Sequence, residues 1–111
     1  MNEARARALL RAERSRVEQL LNETTTAGQQ DREAANEAGD LTDPAERLTA
    51  EEADDAVTAG LRARLAALDR AEHRIEQGTF GYSIRSGLPI EEARLEADPA
   101  AELTVEEEQR A

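Results

Sequence analysis

A mainly α-helical fold is predicted: two long helices folded back as an antiparallel coiled-coil hairpin, followed by a small module with a short β-hairpin and short helices. Three observations carry it. Charged residues make up 35% of the 111-residue chain while Phe80 and Tyr82 are its only aromatics, a balance that suits long helices packed along an Ala/Leu/Val/Ile seam better than a sheet sandwich. Apolar residues recur at helical spacing through two long stretches. Gly78 then ends the second stretch, and the pattern changes to the alternation Phe80, Tyr82, Ile84. The boundaries that follow are a hairpin over 1–77, with its tip near 39–47, and a module over 78–111.

The first helix runs from Asn2 to about Ala27, with Ala6, Leu9, Leu10, Val17, Leu20 and Leu21 on one stripe. Beyond it, Thr24-Thr25-Thr26 lowers helix propensity, and Gly28 costs about 1 kcal/mol relative to Ala. The second helix opens at Asp43-Pro44-Ala45-Glu46, where Asp43 caps, Pro44 suits the first turn and Glu46 takes the reciprocal capping position. A second cap-like set, Thr49-x-x-Glu52, offers another start. Val57, Leu61, Leu65, Leu68 and Ile75, with Ala71 or Glu72 between the last two, recur at a period near 3.5 up to Gly78. From Pro44 to Gln77 this helix spans about 50 Å at roughly 1.5 Å per residue. The short link at Gly39 to Thr42 favours antiparallel neighbours.

After Gly78, Ser86-Gly87 signals a turn returning the ribbon through Leu88 and Ile90. Pro89-Ile90-Glu91-Glu92 opens a short helix to Ala97, and Thr104-Val105-Glu106-Glu107 repeats the capping-box pattern before a last turn or two. Phe80, Tyr82, Ile84, Leu88, Ile90, Leu95 and Leu103 are the expected core of this module.

The stretch from Gly78 to Pro99, GTFGYSIRSGLPIEEARLEADP, has the frame F-G-Y-x-x-x-x-G-x-P-I-x-x-x-R-L-E-A-x-P. It resembles the C-terminal module of the DksA/TraR family of RNA polymerase-binding regulators, a small zinc ribbon whose usual members carry two C-x-x-C pairs. Here those positions fall on Ser83 and Ser86, then Thr104 and Glu107, and the chain has no cysteine. Hydroxyls are poor zinc ligands beside thiolates, and one glutamate cannot assemble a closed structural site. No structural zinc and no other cofactor is therefore expected. The resemblance also reaches the hairpin tip, where Asp43-Pro44-Ala45-Glu46-Arg47 is similar to the family's D-P-x-D-R motif. Members of the family insert a coiled coil into the secondary channel of RNA polymerase, with tip carboxylates near the catalytic magnesium. The resemblance thus implies Asp43 and Glu46 as effector carboxylates, supported by Pro44, Ala45 and Arg47. Asp40 with Asp43 is an alternative register, and either keeps Asp43.

Charge agrees with a protein partner. The net charge is −11, which disfavours direct binding to DNA or RNA phosphates. Between Asp31 and Asp55 ten acids face two arginines, a net of −8, whereas between Met1 and Arg16 five arginines face two acids, a net of +3. A solvated face on each helix accounts for such runs, and so does an acidic tip presented to a cationic or metal-containing cleft. His73 stands among Arg70, Glu72 and Arg74 with no metal-ligand or triad spacing. Nothing is placed to activate Ser83 or Ser86, so an enzyme is not expected. Arg64 and Arg74 do not reproduce the basic set of a ppGpp site, leaving an alarmone response unsupported. No stretch approaches the roughly 18 apolar residues of a membrane span, nor does the start read as a signal peptide, so a cytoplasmic protein is expected. The alternative from another functional class is a non-catalytic coiled-coil adaptor, or a homodimer that uses its apolar stripe between chains.

Overall fold

In the computed structural model the backbone is described for residues 1–38 and 44–110, and the side chains for 1–25 and 55–110. Four helices follow one another: α1 Glu3–Ala38, α2 Pro44–Gln77, α3 Glu92–Ala97 and α4 Val105–Arg110. The mainly helical expectation holds, and α2 has the bounds read from its capping and stop signals. Helix α1 is longer than its apolar stripe, running on through Thr24-Thr25-Thr26 and Gly28. Propensity penalties of about 1 kcal/mol or less per residue slow a helix but do not stop it once it is nucleated, because each added residue also closes a backbone hydrogen bond. Asn2 caps its start, its Oδ1 accepting from the Arg5 N–H at 2.7 Å.

The chain divides into two compact units, one made of Met1–Ser15 and Leu65–Ala111, the other of Arg16–Arg64. In the first, the beginning of α1 lies antiparallel to the end of α2. Ala6 and Leu10 are buried on one, Leu68, Ala71 and Ile75 on the other, at the three- and four-residue spacings of a seam. The Arg14 guanidinium reaches across to Asp69 and Glu72. In the second unit Val17 is fully buried, while Leu20 and Val57 are 37% and 52% exposed. The apolar stripe is thus unevenly used along its length.

Helix α2 ends in a paired hydrogen-bond pattern that needs glycine. Gly78 takes φ +77°, its N–H bonds to Ile75 O at 3.1 Å, and the Thr79 N–H reaches back to Arg74 O at 2.9 Å. This Schellman arrangement satisfies the last carbonyls of the helix and turns the chain into the module. There the expected two-stranded ribbon is reduced to a single antiparallel bridge between Tyr82 and Pro89. The bonds flanking it are Ser83 N–H to Leu88 O and Ile90 N–H to Gly81 O, each 2.8 Å, so Pro89 takes the non-hydrogen-bonded position, where its missing N–H costs the ladder nothing. Gly87, at φ +75°, makes the return.

The module's core is smaller than the sequence suggests. Ile90, Leu95 and Ala101 form its cluster, with Phe80 packed against it. Tyr82, Ile84 and Leu88, expected inside, are 49%, 61% and 59% exposed. Side chains on an extended segment alternate faces, and Ser83 takes the inward face at 5% exposure, so its neighbours Tyr82 and Ile84 point outward.

Candidate functional site

The inward turn of Ser83 is the key to the module. Its Oγ donates to Glu107 Oε2 at 2.9 Å across 24 residues of chain and accepts from the backbone N–H of Arg85 at 3.1 Å and of Ser86 at 3.2 Å. Glu107 lies in the first turn of α4, where Thr104 is the cap. The Glu107 N–H donates to Thr104 Oγ1 at 3.2 Å, and the Thr104 N–H donates back to Glu107 Oε1 at 3.1 Å, a reciprocal capping box. One carboxylate therefore closes the helix N-terminus with one oxygen and ties down the Ser83 turn with the other.

The electrostatics follow from these bonds. Hydrogen bonding from Ser83, and after it the backbone and hydroxyl of Thr104 and the hydroxyl of Ser86, holds the Glu107 carboxyl below its ordinary value against an opposing effect of burial. Ser83 and Thr104 are both buried, so each hydroxyl would be costly without a partner. The Ser86 Oγ also accepts from the Leu88 N–H of its own loop at 3.2 Å.

The four positions expected as degenerate ligand sites, Ser83, Ser86, Thr104 and Glu107, thus meet, Ser86 through its backbone N–H to Ser83 and its hydroxyl toward Glu107. As a zinc site this set does not fit. It offers no thiolate or imidazole, and its oxygens are already spent on one another at hydrogen-bond distance. No group of three or more His, Cys, Asp or Glu suited to a metal is found among the described residues.

A second polar cluster was not legible in the sequence. Glu102 accepts from Arg70 at 2.9 Å with one oxygen and from Arg74 at 3.3 Å with the other, linking the module to the last turns of α2. Burial, outweighing the attraction of Glu102, lowers the pKa of Arg74, and its Nη2 has no hydrogen-bond acceptor among the described residues. Separations of 28 and 32 residues leave no periodic signal. Arg5 clamps Glu96 of α3 with two bonds of 3.1 and 2.7 Å, and Arg94 bonds Leu103 O at 3.0 Å and pairs with Glu108.

The tip is the part of the expected site that the structure leaves aside. Asp40 and Asp43 lie outside the described residues. Pro44, Ala45, Glu46 and Arg47 form the first turn of α2, but their side chains also lie outside the described part. His73 is two-thirds exposed, with Glu76 at 3.9 Å, as a surface histidine would be. No described helix is long and apolar enough to cross a membrane.

No family model matches the chain. It is similar to the RNA polymerase-binding transcription factor DksA of two Caulobacter vibrioides strains, NA1000/CB15N and CB15, at 43% identity over 49 residues. That match covers 44% of this chain and 34% of the relative, so it spans about a third of the curated relatives' length. Among solved structures, transcription factor DksA2 from Pseudomonas aeruginosa superimposes with a TM-score of 0.81 at 25% identity, over 98% of this chain and 84% of that one. The fold is a helical one of the DksA2 type. The chain, which has no cysteine, is thus similar to DksA in sequence over 49 residues and to DksA2 in fold over nearly its whole length.

Proposed function

We propose that this chain is a transcription regulator that binds RNA polymerase through its secondary channel and modulates initiation without zinc. The observation that carries this reading is the likeness to DksA2 over 98% of the chain, which keeps the long helix pair and the module on which such a regulator depends. The hydrogen-bonded closure at Glu107 supports the metal-free part, since it gives the module an internal tie of its own.

In this reading α1 and α2 carry the acidic tip into the channel, and Asp43 with Glu46, or Asp40 with Asp43, act on the catalytic centre. Pro44, Ala45 and Arg47 hold the turn. The protein does not read DNA sequence itself, and its net charge of −11 suits a protein cleft and not a phosphate backbone. It performs no chemistry of its own.

The test is capture of core RNA polymerase by the tagged chain, repeated with an established secondary-channel factor as competitor. Competed capture supports the channel; capture that the competitor leaves unchanged places the contact elsewhere. Asp43→Ala with Glu46→Ala is expected to preserve binding and abolish the effect on transcription in vitro. Equal loss of both properties, or of neither, would count against a tip mechanism.

A further inference from the structure

The two long helices are not held equally along their length. Over residues 1–17 of α1 and 65–77 of α2, the seam buries Ala6, Leu10, Val17, Leu68, Ala71 and Ile75. Over residues 18–25 and 55–64 no side chain is buried. The apolar residues there are half-covered, as at Leu21 and Leu61, or open, with Leu20 37% and Val57 52% exposed. A helix alone in water is marginal, and helices in folded proteins owe most of their stability to an apolar face packed on a neighbour. Residues 55–64 of α2 therefore depend on their own backbone bonds and on residue propensity. Glu18 and Arg64 keep polar contacts, which at a helix surface add little.

Propensity is poor in this same stretch. Val57 and Thr58 are β-branched, and Gly60 is the least favourable helix-interior residue short of proline. Nothing in the packing calls for a glycine. A Cβ placed at Gly60 would meet no atom within 4 Å outside its own helix, and Gly60 is not among the glycines at positive φ, which are Gly78, Gly81 and Gly87. Alanine would fit without strain. Gly60 thus weakens α2 and relieves no clash, at the level where the seam has faded. The first helix shows the same coincidence, since Thr24-Thr25-Thr26 and Gly28 come after Val17, its last buried residue among those described.

We propose that residues 57–60 form a yielding joint in α2, a stretch that opens locally while the seam between Leu68 and Ile75 and the C-terminal module stay closed. Elements that move are drawn from the low-stability end of a native structure, and a glycine standing in open space keeps this stretch at that end. The joint is a property of the free chain and does not depend on the channel reading.

The test is native-state amide exchange on the full ¹⁵N-labelled chain, with Gly60→Ala as the variant. The N–H groups of Leu61, Arg62, Ala63 and Arg64 report on the joint, because in an α-helix they bond to the carbonyls four residues earlier, those of residues 57–60. After correction for intrinsic rates they should exchange at least about ten-fold faster than the amides of Leu68, Ala71 and Ile75. Gly60→Ala should slow the first group about five-fold, the equivalent of the ~1 kcal/mol by which glycine disfavours a helix interior, and leave the second group unchanged. The added methyl group enters open space, so the variant is expected to fold as the parent does, which circular dichroism checks. Equal protection of the two groups in the parent chain, equal slowing of both by Gly60→Ala, or no slowing at residues 61–64 would overturn the proposal. Polymerase is absent from the assay, so its outcome is distinct from that of the capture experiment.

Discussion

The helical seam and the polar closure of the C-terminal module sit in the same compact unit and are held by opposite means. The seam buries Leu10, Leu68, Ala71 and Ile75, a non-directional attraction that depends on area and is indifferent to protonation. The closure depends on one carboxylate, two hydroxyls and a few backbone N–H groups in set directions. Loss of an apolar side chain weakens the first in proportion to its size. Loss of one partner strands several others in the second. A closure of this kind holds only while each polar group in it keeps its partner.

The largest effect is expected in the seam. Leu68 is fully buried, and Leu68→Ala removes its transfer free energy and leaves a cavity, for a loss of about 2–5 kcal/mol. Urea unfolding followed by circular dichroism at helical wavelengths would measure it. A loss well under 1 kcal/mol would mean that the seam collapses around the gap and contributes less than its burial implies.

Next comes the closure. Ser83→Ala removes the donor to Glu107 and the acceptor for the Arg85 and Ser86 N–H groups, for a loss of about 1–3 kcal/mol. Its signature is local: amide exchange should rise at Arg85, Ser86 and Thr104 while the seam residues keep their protection. Uniform acceleration throughout the chain would show that module and seam unfold together, and the contrast between them would shrink.

How far the sequence reveals these two regions follows from how they are encoded. Helix α2, Pro44–Gln77, is legible in its period and glycine stop, which are local signals, while its start stands between the sets at Asp43-Pro44 and at Thr49, and the structure takes the first. The capping box of Thr104 and Glu107 is legible for the same reason. That Glu107 meets Ser83 is signalled only by the resemblance, which puts both at degenerate ligand positions of one site; no local pattern reports their hydrogen bond across 24 residues. The outward turn of Tyr82 and Ile84 was hidden because alternation fixes which residues share a face but not which face is inside. The serine at position 83 decides that parity. The extension of α1 to Ala38 runs against propensity, a weak guide where threonine and glycine stand in a helix already under way.

Acid separates the two regions without any change in the core. The Glu107 carboxyl is held below its ordinary value chiefly by the Ser83 hydroxyl. A depressed carboxylate stabilises the fold fully above the unfolded glutamate value of about 4.3, and that contribution is lost as pH falls through the folded value. Module amides should therefore lose protection in that acidic window. Glu107→Gln, which keeps an oxygen for the Thr104 N–H, is expected to lower stability at neutral pH and to flatten the acid dependence. An unchanged acid profile in that variant would assign the dependence elsewhere, with Glu96 the next candidate, since its pKa is lowered by the side-chain bond from Arg5.

The smallest effect tests whether the many ion pairs hold the module at all. Arg110 and Glu106 pair at 2.6 Å on α4, yet their side chains are 75% and 72% exposed. Solvent screening and side-chain entropy leave such i,i+4 pairs worth about 0.5 kcal/mol or less. Arg110→Ala should accordingly shift the unfolding midpoint barely beyond error, whereas Arg94→Ala removes a bond to Leu103 O as well as the pairing with Glu108 and should be visibly destabilising. The two substitutions delete the same charge from the same module. If their effects were equal, charge alone would be acting; a difference assigns the stability to satisfied backbone groups, the same principle by which Glu107 closes the module.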